Sequence, residues 1–154
     1  MLKRIDHVGV VVPELFRAKK FLESLGMILE LEREVASRHV RAAFYRVGNG
    51  DGARIELIEP TSEDARARRL AAGGKPRIEH IAVEIDAEIA TVMEAVRGLG
   101  VDFVAAEPTP IDGNLNAFTQ PHTSEGIQFQ FVEHGAACGR PDATSPTTQS
   151  RGTR

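Results

Sequence analysis

Apolar and polar residues alternate one by one along residues 4–12 and again along 77–85, the period of a half-buried β-strand. After each stretch the period lengthens to that of a helix. Leu15, Ala18, Phe21, Leu22 and Leu25 recur at helical spacing behind Pro13, a residue suited to a helix start. Ile89, Val92, Met93, Val96 and Leu99 repeat the pattern. Gly26 and Gly100 stand where a left-handed C-terminal cap calls for glycine. Three further strands are predicted behind each helix, at 28–34, 39–47 and 53–59, then at 101–105, 114–120 and 126–132. The run Gly48-Asn49-Gly50-Asp51-Gly52 predicts the turn between two of them. The order is β-α-β-β-β, twice.

The two halves also match residue by residue. Ile5-Asp6-His7-Val8-Gly9-Val10 and Ile78-Glu79-His80-Ile81-Ala82-Val83 both read Ile, acid, His, β-branched, small, Val. Leu25-Gly26 matches Leu99-Gly100, and Ile55-Glu56-Leu57-Ile58-Glu59 matches Phe129-Gln130-Phe131-Val132-Glu133. Three matches in order at nearly one spacing identify a duplication. The modules run over about 4–60 and 77–133, giving one domain over 1–134 of α+β class. Residues 60–76 connect them, with Leu70-Ala71-Ala72 able to close a short helix before Gly73-Gly74. From 135 to 154 large apolar residues are almost absent, which predicts a disordered tail.

Alternation sorts the chemistry. Val8, Val10 and Val12 share one face of the first strand, and Ile81, Val83 and Ile85 one face of the fifth; the helices must cover these. His7, Glu56, His80 and Gln130 fall on the opposite faces, and Glu84 falls on the face of His80. Two imidazoles and a carboxylate on faces related by duplication suit a divalent ion, with the Gln130 amide oxygen as a neutral fourth ligand. Gly9 and Ala82 are expected to leave room above the ion for substrate or water. A single strand histidine is more often structural; the paired positions favour ligation here. His39 is expected to be solvated, His122 to lie in a turn and His134 to adjoin the tail. Arg66, Arg68 and Arg69 are expected on a solvated helix face, with an anionic substrate as the lesser alternative. No phosphate loop, GxSxG elbow or nucleophile-His-acid arrangement is present.

Composition narrows the picture further. Of 154 residues, 42% are hydrophobic and 27% charged, the balance of a globular domain. A net charge of −3 with both signs interspersed gives no basic surface for nucleic acid or membranes. One cysteine, Cys138, excludes an internal disulfide or a CxxC zinc site. With no signal-peptide core at the N-terminus, a cytoplasmic location is expected.

The opening Ile5-Asp6-His7-Val8-Gly9-Val10 resembles that of vicinal oxygen chelate proteins, and within them the likeness is to methylmalonyl-CoA epimerases. It extends through Ile55-Glu56-Leu57-Ile58-Glu59-Pro60, Glu63-Asp64, Arg69-Leu70, Ile78 to Asp86, Ala106-Glu107-Pro108 and Gly126 to Glu133. The resemblance implies paired βαβββ modules forming a U-shaped mixed sheet around one divalent ion held by His7, Glu56, His80 and Gln130. Cobalt, nickel, manganese, zinc or magnesium would be the ion, with iron ranked lower. It further implies a small-molecule substrate such as a CoA thioester, a homodimer, and proton transfer beside a chelated carbonyl. Two departures stand out. The family's fourth ligand is a glutamate that also acts as a base, where this chain has Gln130, and its second base falls on Ala42. Glu56 is then the candidate base for a one-base isomerisation, and Glu84 a second candidate. A glyoxalase-like lyase, an extradiol-type dioxygenase and a non-catalytic ligand-binding protein are the alternatives.

Overall fold

The computed structural model describes residues 1–48, 50 and 52–135. The expected tail, with Cys138, lies outside the described residues except for Gly135, and so does part of the turn at 48–52. The first module comprises β1 (Leu2–Val11), α1 (Leu15–Ser24), β2 (Met27–Val35), β3 (Val40–Val47) and β4 (Arg54–Pro60). A connecting helix α2 (Glu63–Arg69) leads to β5 (Arg77–Ile85), α3 (Ile89–Arg97), β6 (Thr109–Ile111), β7 (Asn114–Phe118) and β8 (Gln128–Glu133). Ser62 caps α2, its hydroxyl accepting from the Ala65 amide.

The strands form one eight-stranded mixed sheet in the order β2-β3-β4-β1-β5-β8-β7-β6. β1 runs parallel to β4 and β5 parallel to β8, while β1 and β5 pair antiparallel at the centre. The duplication is thus an approximate twofold about the β1–β5 seam. Each helix covers its own half. Leu15 packs with Val12, Ala43, Tyr45 and Leu57, and Ile89, Val92 and Met93 pack with Ile85, Phe103, Ala117 and Phe131. These apolar faces leave the other side of the sheet to polar chemistry. A third cluster, Val11, Val40 and Ile58 with Leu70 of the connector, closes one end of that side. No helix among the described residues is long and apolar enough to cross a membrane.

Gly26 and Gly100 adopt φ of 82° and 83°, the left-handed caps their positions called for. Two expectations change. Residues 101–105 are not a strand: Phe103 enters the core and makes one isolated bridge to Thr119, and pairing resumes only at 109–111. There Asp112-Gly113, with φ of 50° and 78°, forms the tight turn of a β6–β7 hairpin, and Pro110 is accommodated because β6 is an edge strand. Phe21 and Leu25 lie on the spacing of the buried stripe yet are 62% and 63% exposed, because α1 meets the sheet mainly through Leu15, Ala18 and Leu22.

Candidate metal centre

The antiparallel β1–β5 seam is interrupted by three register shifts, one at Lys3 and two that fall at corresponding places of the repeat. Asp6 is the extra residue between the pairs Ile5–Val83 and His7–Ala82. Glu79 is the extra residue between Gly9–His80 and Val10–Ile78. A bulge turns two consecutive side chains toward the same side. Asp6 therefore joins His7, and Glu79 joins His80, in the lining of one cavity of about 790 Å³. Strict alternation places both acids on the wrong face; the bulges bring them back.

At the floor of this cavity three donor atoms converge. His7 Nε2 lies 3.1 Å from His80 Nε2, and each is 3.3 Å from Glu56 Oε2. Metal–ligand bonds of about 2.1 Å at tetrahedral or octahedral angles put neighbouring donors roughly 3.0–3.4 Å apart. All three residues are largely withdrawn from solvent. The outer edge of each imidazole faces a carboxylate: His7 Nδ1 donates to Asp6 Oδ2 at 2.6 Å, and His80 Nδ1 is 3.7 Å from Glu79 Oε2. With their protons on Nδ1, both rings point a lone pair at the Glu56 oxygen and at each other. Three acceptors in mutual contact require a cation between them, either protons or a metal. The donor set thus fits a divalent ion.

The electrostatics agree. Burial disfavours charge on His7, but hydrogen bonds and charge from Asp6 and Glu56 outweigh it and raise its pKa above the ordinary value. His80 is raised in the same way, against its burial, by Glu56 and Glu79. Burial pushes the Glu56 carboxyl up, yet its hydrogen bonds to His7 and His80 pull it down to about 2. Asp6 is also buried, and bonds to His134 and His7 with the nearby Arg54 charge hold it well below the carboxylate range.

Gln130 is buried in the same cavity, paired across from Ala82 and Phe118. Its amide nitrogen donates to Asn116 Oδ1 at 2.8 Å, which leaves its carbonyl oxygen as the atom available to a cation. Ala42 lines the cavity as well and offers no ionisable group.

Two expectations are corrected. Gly9 and Ala82 do not line the cavity. A Cβ on Gly9 would overlap the His80 ring, so the missing side chain makes room for the ligand, not for substrate. Glu84 shares the sheet face of His80 but lies beyond the cavity wall, its carboxylate bound by Lys3 Nζ at 2.6 Å and Arg4 Nε at 2.7 Å.

Several lining residues had gone unassigned. His134, beside the tail, donates toward Asp6 Oδ1 at 3.3 Å. Arg54 also bonds Asp6 Oδ2. Arg69 Nη1 holds Glu79 Oε2 at 2.6 Å, so this arginine reaches the site and not solvent. Arg66 instead donates to the backbone oxygens of Pro60 and Pro13, and Arg68 is exposed. Phe44 stands edge-on to His7 at 5.3 Å and Phe118 edge-on to His80 at 6.2 Å. These phenylalanines occupy corresponding places in β3 and β7, so the repeat itself carried their signal. His39 and His122 are exposed and outside the cavity.

A model of the Glyoxalase/Bleomycin resistance protein/Dioxygenase superfamily matches residues 6–118. The uncharacterized protein YqjC of Bacillus subtilis is 25% identical over 134 residues, 86% of this chain and 93% of that protein. Among solved structures, methylmalonyl-CoA epimerase from Mycobacterium tuberculosis superposes with a TM-score of 0.77 at 27% identity, covering 88% of this chain and 91% of that one. A methylmalonyl-CoA epimerase in complex with methylmalonyl-CoA and NH4+ gives 0.77 at 25% identity, covering 88% and 97%.

Proposed function

This chain belongs to the glyoxalase/bleomycin resistance protein/dioxygenase superfamily, and from that premise we propose that it is a metal-dependent, epimerase-like isomerase. It moves a proton beside the carbonyl of a short acyl-CoA or similar oxo-acid. The observation that carries this is the triangle of His7 Nε2, His80 Nε2 and Glu56 Oε2, with edges of 3.1 to 3.3 Å, at the floor of the cavity. His7, Glu56, His80 and Gln130 would hold the ion. Bound there, a divalent cation supplies Lewis acidity to the substrate carbonyl. Two neutral imidazoles, one carboxylate and one amide bring a single negative charge to that ion. The remaining positive charge favours a substrate with an anionic oxygen.

The residues present set the proton chemistry. True epimerisation needs one base on each face of the substrate carbon. Ala42 and Gln130 stand where such bases would be, and neither takes a proton at neutral pH. Asp6 and Glu79 are committed to the imidazoles and to arginines. Glu56 is the carboxylate left to shuttle a proton on one face. The Phe44 and Phe118 rings keep water from the sides of the centre. The reading extends to a homodimer in the cytoplasm; Phe16 and Phe21 of α1, 67% and 62% exposed, offer apolar surface to a second copy.

The test is α-carbon deuterium exchange from solvent, followed by NMR with methylmalonyl-CoA and short 2-oxo acids on metal-loaded protein. Exchange is expected, abolished by chelator and depressed by Glu56→Gln. Exchange undiminished in Glu56→Gln removes Glu56 as the base. A second reading, ligand binding without turnover, is favoured by Ala42 and Gln130, which line the cavity and offer no base. Saturable substrate binding with no exchange under any metal would establish it.

A further inference from the structure

The cavity wall is rich in guanidinium groups, and they differ in how they are engaged. Arg54 is tied to Asp6, Arg69 to Glu79 and Arg33 to Asp112 across the cavity mouth. Arg38 has no hydrogen bond or ion pair among the described residues. Its guanidinium lies 5.1 Å over the Phe118 ring, the same ring that meets His80 edge-on. It is half-buried and lines the cavity, one aromatic ring away from the ligand triangle.

The backbone that presents it is fixed. Ala36–Arg38 is a single 3₁₀ turn between β2 and β3, ending on His39 in the left-handed region at φ 51°. The His39 amide donates to Ala36 O at 3.1 Å, and the Thr61 amide donates to His39 O at 2.8 Å. Left-handed backbone at a non-glycine residue is costly and tends to mark functional positions. Arg33 lines the same cavity, its guanidinium 5.4 Å over Phe44, and its Nε is buried without a hydrogen-bond partner. A planar, permanently charged fork with unused donors, held over an aromatic face in a partly dry cavity, is a receptor for a carboxylate or a phosphate.

We infer that Arg38, assisted by Arg33, forms an anion subsite that binds a second negative group of the substrate, at the opposite end from its chelating oxygens. The substrate is then a bifunctional acid: an oxo-acid or acyl group at the ligand triangle and a carboxylate or phosphate at Arg38. This rests on the chelated-substrate reading above for the position of the first group, but not for the existence of the subsite. Charge-assisted hydrogen bonds of this kind make about a tenfold or greater difference in affinity.

Calorimetry on cobalt-loaded protein tests it with three ligands of similar length: 2-oxopentanoate, 2-oxoglutarate, and a 2-oxo acid ending in a phosphonate. In the wild type at least one tail anion should bind about tenfold or more tightly than 2-oxopentanoate, and the better of the two names the group. In Arg38→Met that preference should vanish while 2-oxopentanoate affinity is unchanged, and Arg38→Lys should restore part of it. Equal binding of all three ligands to the wild type, a preference that survives Arg38→Met, or no binding of either dianion would overturn the subsite. If the dianions bind metal-free protein through Arg38 while 2-oxopentanoate never binds, the subsite stands and the chelated-substrate reading falls.

Discussion

The two halves of the molecule match in sequence but present different donors to the proposed cation site. The first half surrounds that site with charge. Glu56 is an anionic donor, and Asp6, 5% exposed, is bound at once by His7, Arg54 and His134. The second half is softer. Gln130 replaces the carboxylate with an amide resting on Asn116, and Glu79 lies 3.7 Å from His80 Nδ1 instead of 2.6 Å. In the proposed centre one half would anchor the ion, and the other would leave it unsaturated in charge for a substrate to complete. Duplication supplied the symmetry of position, and divergence removed the symmetry of charge.

The sharpest way to break this comparison is to neutralise the anchoring half. Glu56→Gln should lower metal affinity by more than about 100-fold, beyond the range of outer-shell changes, while Gln130→Ala should cost only about tenfold by loss of a neutral donor. Competition with a chromophoric chelator measures both, and equal losses would erase the asymmetry. Next come the carboxylates behind the imidazoles. Asp6→Asn should weaken metal binding by about 10–100-fold. Glu79→Gln should cost less, since its contact is longer and Arg69 already draws on its charge. A larger loss in Glu79→Gln would reverse the order of the halves.

Much of this was legible in the chain. The repeat located His7, Glu56, His80 and Gln130, because period-2 alternation holds in β4 and β8 and resumes at His7 in β1 and at His80 in β5 beyond the bulges, which puts all four on one side of the sheet. The partners of the histidines were visible as a repeated acid-His pair, but their place in the cavity was not, because it depends on bulges formed in the pairing of β1 with β5. Gly9 was read as space for substrate; its real neighbour, the His80 ring, comes from a strand paired across 71 positions of sequence. The β6–β7 hairpin carried a local signal in Asp112-Gly113, and the apolar Phe103 of 101–105 serves the core instead of a strand pairing. Arg38 and His134 left no local mark at all. They reach the cleft only through the curl of the sheet, a property of the whole chain.

A smaller effect separates protons from metal in the same pocket. The pKa values of His7 and His80 are raised in the folded protein. Their stabilising contribution is therefore complete below the unfolded value, near 6.5, and is lost as pH climbs through the raised folded values. Chelator-treated protein should melt at progressively lower temperature as pH rises above neutrality. Excess cobalt or zinc should remove the decline, because the metal takes the place of the protons. A melting temperature that is flat with pH without metal would mean the imidazoles are not paired with Glu56 as described.

X-ray absorption at the cobalt edge of the loaded protein tests the shared centre most directly. One cobalt per chain with two imidazole rings in its shell is predicted, falling to one ring in either His7→Ala or His80→Ala. Cobalt that binds substoichiometrically, or a spectrum unchanged by both substitutions, would contradict a centre built jointly by the two halves.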